Sequence, residues 1–242
     1  MDTRRIVELL EPFLSETHGP RPTAPQLAQP RPALNAAQLE DISTYIDLLL
    51  RWNVRINLTA VRDPEQIVTR HFGESFFAAR YLLGEIPDVE PTPVKPSAPR
   101  TVDLGSGAGF PGLPLKLWSP ETPVTLIEAN HKKVAFLREV IRTLTLTAID
   151  VFAGRAEAYP PATAALVTLR AVERFEDVLP AAVRLLAPGG RLGLLIGCDQ
   201  LGRAHAHAPN LWWSDPLPIP LSTSRILLAG ALSSWPARES SL

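Results

Sequence analysis

A run of eleven residues, Val102 to Gly112, constrains the fold of this chain more than any other part of the sequence. It reads VDLGSGAGFPG, an apolar strand end followed by a glycine-dense turn and the start of a helix. Glycine permits positive φ and lets main-chain N–H groups approach a ligand closely. Pro111 has a fixed φ that suits a first helical turn. The run therefore predicts a strand-turn-helix corner of the kind that binds nucleotide-like ligands.

The same turn fits two classes of cofactor. Gly107-x-Gly109-x-x-Gly112 satisfies the dinucleotide pattern G-x-G-x-x-G. An acidic residue, Asp103, followed by Gly105, Gly107 and Gly109 also fits a turn that binds S-adenosylmethionine. The residues around the turn must decide between NAD(P) and S-adenosylmethionine.

The helix start and the next strand favour S-adenosylmethionine. A pyrophosphate needs free N–H groups at a helix N-terminus, but Phe110 is bulky there and Pro111 has no N–H. Glu128 closes the next apolar run, roughly 20 residues after the turn, where its carboxylate would accept hydrogen bonds from ribose hydroxyls. S-adenosylmethionine needs only adenine, ribose and an amino-acid tail, so we expect it as the cofactor.

Composition limits the other functions. The 242 residues suffice for a full core, and 24 Lys plus Arg against 25 Asp plus Glu give a net charge of -1. Any nucleic-acid binding must therefore rest on a local basic patch. The single Cys198 excludes an intramolecular disulfide and a Cys-rich zinc site, and no metal site is predicted. With no signal peptide and no apolar run of membrane-spanning length, we expect a cytoplasmic protein without membrane contact.

Periodicity divides the chain into four parts. Residues 1–35 are predicted to hold a short helix and a Pro-rich arm, 36–86 a helical extension, 87–99 a Pro-rich insert, and 100–242 the α/β domain that carries the glycine turn. Apolar runs of strand length occur in the last part at 100–104, 124–128, 148–152, 165–170, 191–197 and 226–232. Strands alternating with amphipathic helices predict an α/β, Rossmann-like, mostly parallel sheet with helices on both faces.

Ligands in such sheets bind beyond the carboxyl ends of the strands, so the residues that close each run are candidates. Asp103 and Glu128 close the first two runs, and Ala156 and Glu157 lie in a polar loop after the third that could edge an adenine ring. Arg170 closes the fourth, an otherwise apolar strand. A structural interpretation stays open for two of them: Glu157 as a solvated loop carboxylate, and Arg170 paired with an acid such as Glu173 or Glu176.

Two kinds of methyl acceptor are disfavoured. Methylation of pyrimidine C5 normally needs a cysteine nucleophile, and Cys198 stands alone after the fifth strand. Amino methylation of the Asn-Pro-Pro-Tyr type would place that tetrad after the fourth strand, where this chain has Thr168-Leu169-Arg170-Ala171. Acceptors with an available lone pair remain.

Several blocks outside the glycine turn carry a family resemblance. They are Arg51-Trp52-Asn53, Asn57-Leu58-Thr59, Arg62-Asp63-Pro64-Glu65, Arg70-His71-Phe72, Glu74-Ser75, Lys132-Lys133-Val134, Phe136-Leu137, Arg155-Ala156-Glu157 and Arg170-Ala171. Together with VDLGSGAGFPGLPL, these blocks span roughly residues 40 to 197. The chain resembles the bacterial 16S ribosomal RNA guanine-N7 methyltransferase family known as RsmG or glucose-inhibited division protein B, in which the blocks occur in the same order. The chain departs from the family at the end of the fifth strand, where Ile196-Gly197 replaces the common Lys-Gly pair.

The resemblance implies a class I methyltransferase domain with an N-terminal helical extension. It also implies a guanine of 16S ribosomal RNA, in the small ribosomal subunit, as substrate, and no obligate protein partner. Cofactor contacts carried over from the family fall on Gly105, Phe110, Ala156, Glu157 and Arg170. The glycine turn and the ends of the first two apolar runs predict three further cofactor contacts: Asp103, Gly107 and Glu128.

Guanine N7 offers an in-plane lone pair without a proton, so transfer should need orientation and desolvation but no general base. Arg170 is the candidate catalytic residue, aligning the cofactor or the target base. Candidates for RNA phosphate contacts are Arg62, Arg70, His71, Lys132, Lys133 and Arg138. The alternatives are a solvated helix face for the lysines and arginines and a packed His71. At the level of function, a small-molecule methyltransferase, an NAD(P)-dependent oxidoreductase and a noncatalytic RNA-binding module also stay open.

Overall fold

The computed structural model describes residues 1–15, 34–83, 100–170 and 175–232. The α-helices of this part are α1 (Thr3–Leu14), α2 (Ala36–Asn53), α3 (Pro64–Ile67), α4 (Glu74–Leu82), α5 (Gly112–Trp118), α6 (His131–Thr143), α7 (Phe175–Leu185) and α8 (Leu201–His207). The strands are β1 (Arg100–Leu104), β2 (Val124–Glu128), β3 (Ile149–Ala153), β4 (Ala164–Arg170), β5 (Leu186–Gly197), β6 (Leu211–Trp213), β7 (Leu217–Pro218) and β8 (Arg225–Leu232). Most of the Pro-rich arm and all of the predicted 87–99 insert lie outside the described residues.

The strands form one eight-stranded sheet in the order β3-β2-β1-β4-β5-β8-β6, with β7 beside β8. Strands β1 to β5 pair in parallel, whereas β8 is antiparallel to β5, β6 and β7. Helices connect the parallel strands, which confirms the predicted α/β, Rossmann-like sheet. The order reverses around β1 and β4, and their carboxyl ends carry the glycine turn and Arg170. Ligands of open α/β sheets bind at such a point.

The six predicted strands all exist, with ends shifted by a few residues. The fifth is longer than predicted because it begins at Leu186, and its register against β4 shifts between Leu186 and Arg191. Sequence analysis missed β6 and β7, which are three and two residues long. These strands place residues 211–218 of the tail on the edge of the sheet.

The N-terminal helices share a hydrophobic core with the sheet. Ile6 and Leu10 of α1 and Ile46 of α2 belong to the same buried cluster as Leu113 of α5 and Phe136 of α6. Burying each such side chain contributes roughly 1.5–3 kcal/mol. The four-part division of the chain stays a prediction, but the extension covers one face of the sheet next to the glycine turn.

A π-helix interrupts the helical extension that is predicted for residues 36–86. Residues Val68–Gly73 adopt it between α3 and α4. A π-helical turn adds a residue per turn and is frequent at functional sites. Here it contains Arg70 and His71, and it ends on Gly73, against which Phe13 of α1 packs.

We predict that Gly73→Ala destabilises the fold. A Cβ at this position would lie 2.5 Å from Cδ2 of the buried Phe13 ring. Overpacking of this kind costs about 1–3 kcal/mol, which exceeds the gain in helix propensity of roughly 0.5–1 kcal/mol.

Urea unfolding measures the effect, with Gly202→Ala in α8 as the matched control. Nothing lies within 4 Å of a Cβ at Gly202, so that variant should gain stability. Equal stability changes in the two variants would contradict the described packing of α1.

Candidate functional site

The glycine turn adopts the backbone that its sequence predicts. Gly105, Gly107 and Gly109 have φ values of 71°, 57° and 89°, in the left-handed region that favours glycine. At Gly109 space is limiting as well, because a Cβ would lie 2.4 Å from Cδ1 of Leu113 and 2.5 Å from the hydroxyl of Tyr45. The turn therefore packs directly against α2 of the extension.

Most backbone N–H groups of the turn donate hydrogen bonds to acceptors within the protein. Gly105 and Ser106 donate to the carbonyl of Ile127 at 2.9 and 3.1 Å, and Gly109 donates to the carbonyl of Ser106 at 2.6 Å. The N–H of Gly107 goes to a side chain on β2. Because a pyrophosphate would need these donors, the geometry supports the expectation of a cofactor without phosphates.

Glu128 connects the turn to the end of β2 through hydrogen bonds. One carboxylate oxygen accepts the N–H of Gly107 at 2.8 Å, and the other accepts the N–H of Asn130 at 2.7 Å. Each oxygen keeps a further lone pair for a ligand hydroxyl. Asn130 in turn caps α6 through the N–H groups of Lys132 and Lys133. Glu128 thus joins the turn, β2 and α6 at the place predicted for the ribose.

Asp103 lies beneath the turn and is 1% exposed. Its Oδ1 accepts a hydrogen bond from the hydroxyl of Thr168 on β4 at 2.8 Å. Its other oxygen faces Gly112, where a Cβ would lie 2.8 Å away. Burial raises the pKa of Asp103 to about 6, against the opposing effect of its hydrogen bonds. The residue joins β1, β4 and the start of α5, and a direct contact with the cofactor stays a prediction.

A three-ring stack joins the turn to the N-terminal extension. Phe110 lies parallel to Tyr45, with ring centroids 5.3 Å apart and an interplanar angle of 3°. Phe110 also stacks on the His71 ring, with centroids 4.8 Å apart and an interplanar angle of 27°. The hydroxyl of Tyr45 also donates to the carbonyl of Ala108. Tyr45, which is fully buried on α2, was not among the residues singled out from the sequence.

The hydrogen bonds of His71 define its charge and tautomer. Nδ1 lies 3.1 Å from Nη2 of Arg170, and because arginine only donates, Nδ1 must accept. The proton therefore sits on Nε2, which donates to the hydroxyl of Thr59 at 2.8 Å. Burial, followed by repulsion from Arg170, lowers the pKa of His71 to about 3. His71 is neutral, so charge gives no support to its predicted contact with RNA phosphate.

The Asn-Leu-Thr block of the sequence holds Thr59 in place for this contact. Asn53, at the end of α2, accepts the N–H groups of Leu58 and Thr59 through Oδ1 at 2.9 and 3.1 Å. Its amide donates to the carbonyl of Thr59 at 2.9 Å. The segment 57–59 is therefore a scaffold for the His71 ring.

Arg170 is almost fully buried beside the stack. Its Nη2 donates to Oε2 of Glu74 at 3.0 Å and to the carbonyl of Arg70, and its guanidinium carbon lies 6.0 Å from the centre of the Phe110 ring. Burial lowers its pKa to about 10, so the guanidinium stays protonated. Arg225 on β8 also donates to Glu74.

Arg170 pairs with an acid, as the structural alternative expected, and that acid is not Glu176. Glu74, which lies 96 positions earlier in the chain, is its acid. Glu176 pairs with Arg203, and Glu173 lies outside the described residues. Neither Glu74 nor Arg225 was identified from the sequence, since nothing local signals that they meet.

The loop after β3 lies next to Glu128. Ala153 pairs with Glu128 in the sheet, and the N–H of Gly154 donates to the carbonyl of Glu128 at 3.0 Å. Ala156 is buried and Glu157 is exposed in the short helix that follows. Their predicted role at the adenine edge stays a prediction, and their position beside Glu128 agrees with it.

The predicted RNA contacts fall into two groups around the turn. Arg62 and Arg70 are exposed on the extension. Lys132 and Arg138 are exposed and Lys133 is half-buried on α6, which begins next to Glu128. Within the described ranges, no group of three or more His, Cys, Asp or Glu residues could hold a metal ion. In the same ranges no helix is long and apolar enough to cross a membrane.

The parallel sheet, the glycine turn closed by Glu128 and the polar strand ends define a Rossmann-like fold of the methyltransferase type. A family model described as rRNA small subunit methyltransferase G, GidB, matches residues 38–211. The chain belongs to this family. Membership selects a methyltransferase over the oxidoreductase alternative.

Named relatives agree with the family model. The ribosomal RNA small subunit methyltransferase G of Halorhodospira halophila is 41% identical over 164 residues, which cover 68% of this chain and 72% of the relative. The protein of the same name from Xanthomonas oryzae pv. oryzae is 38% identical over 161 residues, 66% of this chain and 69% of the relative. Among solved structures, an S-adenosylmethionine-dependent methyltransferase from Aquifex aeolicus matches with a TM-score of 0.48 at 15% identity, covering 55% of this chain and 82% of that one.

We predict that replacing His71 by glutamine flattens the acid dependence of stability. In the unfolded chain His71 takes up a proton near its ordinary pKa of 6.5, whereas in the folded protein it does so only near a pKa of about 3. Between these values the unfolded state binds more protons, so the free energy of unfolding falls as pH falls.

The glutamine side chain accepts from Arg170 and donates to Thr59 without titrating. Relative to this variant, the wild type should lose about 1 kcal/mol of unfolding free energy per pH unit below about pH 6. Asp103, whose raised pKa acts in the opposite direction, is common to both proteins and cancels in the difference. Urea titrations at several pH values test this, and parallel stability curves would show that His71 is not held neutral.

Proposed function

We propose that this protein transfers the methyl group of S-adenosylmethionine to N7 of a guanine in the 16S ribosomal RNA of the small ribosomal subunit. The cofactor assignment rests on the turn, most of whose N–H groups already donate hydrogen bonds within the protein, and on Glu128, which lies next to it. Family membership and the names of the relatives support the ribosomal RNA substrate. This substrate would place the enzyme in the cytoplasm.

The residues present fit S-adenosylmethionine part by part. Glu128 would accept hydrogen bonds from the ribose hydroxyls, and the loop of Ala156 and Glu157 would lie along the edge of the adenine ring. Gly105, which is exposed at the end of β1, leaves room for the amino-acid tail. Asp103 and Gly107 would act by holding the turn in shape. The bound sulfonium supplies an electrophilic methyl group.

The chain itself needs to orient the acceptor and exclude water. Guanine N7 carries its lone pair in the plane of the base and has no proton to remove, so the proposal assigns no general base. Arg170 would align cofactor or base through Nη1 and Nε, since its hydrogen bonds within the described ranges all use Nη2. Phe110, stacked between two rings, forms a rigid apolar wall next to it.

Cationic side chains of the extension and of α6 would hold the RNA. Arg62 and Arg70 lie on the extension side, and Lys132, Lys133 and Arg138 lie on the α6 side. A loop of RNA contacted from both sides would bring one base over the turn. Because such contacts displace counterions, binding should weaken steeply with salt.

The function is tested by a radiolabelled methyl-transfer assay on small ribosomal subunits from a strain that lacks the endogenous activity, followed by mapping of the modified nucleotide. The proposal expects one guanine, modified at N7. Transfer to a small molecule, or to another atom of the RNA, would overturn the substrate assignment. Binding of S-adenosylhomocysteine without any transfer would favour a noncatalytic module.

We predict that Glu128→Gln weakens binding of the cofactor product S-adenosylhomocysteine. The two carboxylate oxygens each accept a backbone N–H, and a glutamine amide must turn its NH₂ group toward one of them. Loss of a charge-assisted hydrogen bond of about 1.5–3 kcal/mol corresponds to roughly a tenfold to hundredfold weaker Kd.

Isothermal titration measures this change, with Glu121→Gln as the matched control. Glu121 is an exposed carboxylate in the turn before β2, and its replacement should leave the Kd at the wild-type value. Wild-type affinity in Glu128→Gln would remove Glu128 from the cofactor site.

A further inference from the structure

Glu74 is a buried carboxylate that the proposed chemistry does not use. It is the first residue of α4, directly after the π-helix, and its side chain is 4% exposed. One of its oxygens, Oε2, accepts from both Arg170 on β4 and Arg225 on β8. The N-terminal extension thus supplies a carboxylate that connects two strands of the sheet.

The charges around Glu74 do not balance. Arg170 and Arg225 are both cationic, so the hydrogen-bonded group of Glu74 and these two residues carries one net positive charge, and Arg70 adds a further cation nearby. Burial raises the pKa of Glu74, and the guanidinium groups of Arg170, Arg225 and Arg70 oppose that rise. A carboxylate at this place could act in two ways: by limiting the buried positive charge, or by fixing the direction of one guanidinium group.

The geometry favours the second role. Glu74, the carbonyl of Arg70 and Nδ1 of His71 all surround the same nitrogen of Arg170, Nη2. Nη2 has two N–H groups for these three acceptors, so one N–H is shared, and the acceptors together fix the direction in which this nitrogen points. Nε and Nη1 have no hydrogen bond within the described ranges, and the group lies beside Phe110 at the end of β4.

We propose that Glu74 is a positioning residue, which orients Arg170 toward the reacting groups, with Arg225 as the second partner that holds Glu74. The inference rests on the proposed function, since it assumes that Arg170 acts on the cofactor or the base. It gives the N-terminal extension a part in methyl transfer in addition to any RNA contact.

Two variants separate positioning from charge balance. Glu74→Gln removes the carboxylate and leaves the buried guanidinium of Arg170 and the partly buried one of Arg225 uncompensated, which should lower the melting temperature and the activity together. The double variant Glu74→Gln with Arg225→Gln restores the net charge of the wild-type cluster, because one negative and one positive charge are removed. The neutral amide oxygen at position 74 is a weaker acceptor than the carboxylate, so the charge-assisted anchor of Arg170 is not restored.

We expect the double variant to recover most of the melting temperature but not the activity. Its kcat should stay on the order of 10²-fold below wild type, as for a misplaced catalytic group, while the KM for small subunits changes little. Glu65→Gln is the matched control, because Glu65 belongs to the extension and forms an exposed ion pair with Arg5. It should leave kcat unchanged.

Recovery of wild-type kcat in the double variant would overturn the inference and reduce Glu74 to charge balance. Failure of the proposed function is distinguishable, because the wild type itself would then show no transfer. In that event, NMR of the Arg170 side chain still tests the anchor: rotation of the guanidinium about Cζ–Nε should be slow in the wild type and fast in the double variant. Equal rotation rates would also overturn the inference.

Discussion

The stack of Phe110 between Tyr45 and His71 is the contact on which the rest of the site depends. A glycine turn has little side-chain surface of its own, so its shape must come from what it rests on. Here the turn is held by Glu128 from β2 and by two rings from the N-terminal extension. The extension is therefore part of the proposed cofactor site as well as a cover for the sheet.

Burial decides which groups near the turn carry charge. His71 is neutral because its ring is buried beside Arg170, whereas Arg170 stays protonated because Glu74 and the carbonyl of Arg70 accept hydrogen bonds from its guanidinium. Removing one member of such a buried set costs more than the set contributes as a whole. The geometry of a single guanidinium thus depends on residues from the π-helix, α4 and β8.

The sequence was most informative where a residue acts through its own backbone or a fixed spacing. The glycine turn, the six main strands and the carboxylate of Glu128 all follow from local patterns, and the family follows from blocks such as Asn57-Leu58-Thr59. Tyr45, Glu74 and Arg225 were missed because each acts through a contact far away in the chain: the acceptor of the Tyr45 hydroxyl is 63 positions away, and Arg225 lies 151 positions from Glu74. The short strand β6 lacks the length that makes a strand visible in sequence.

The central claim is that the N-terminal extension shapes the cofactor site through Tyr45. Tyr45→Leu removes the ring stack of about 0.5–1.5 kcal/mol and the hydroxyl bond of about 0.5–1.5 kcal/mol, whereas Tyr45→Phe removes only the hydroxyl bond. Titration with S-adenosylhomocysteine should show roughly tenfold weaker binding for Tyr45→Leu, with Tyr45→Phe intermediate. Trp212→Leu, at an aromatic residue that is 47% exposed on the edge strand, should bind as the wild type does. A folded Tyr45→Leu protein with wild-type affinity would contradict the account.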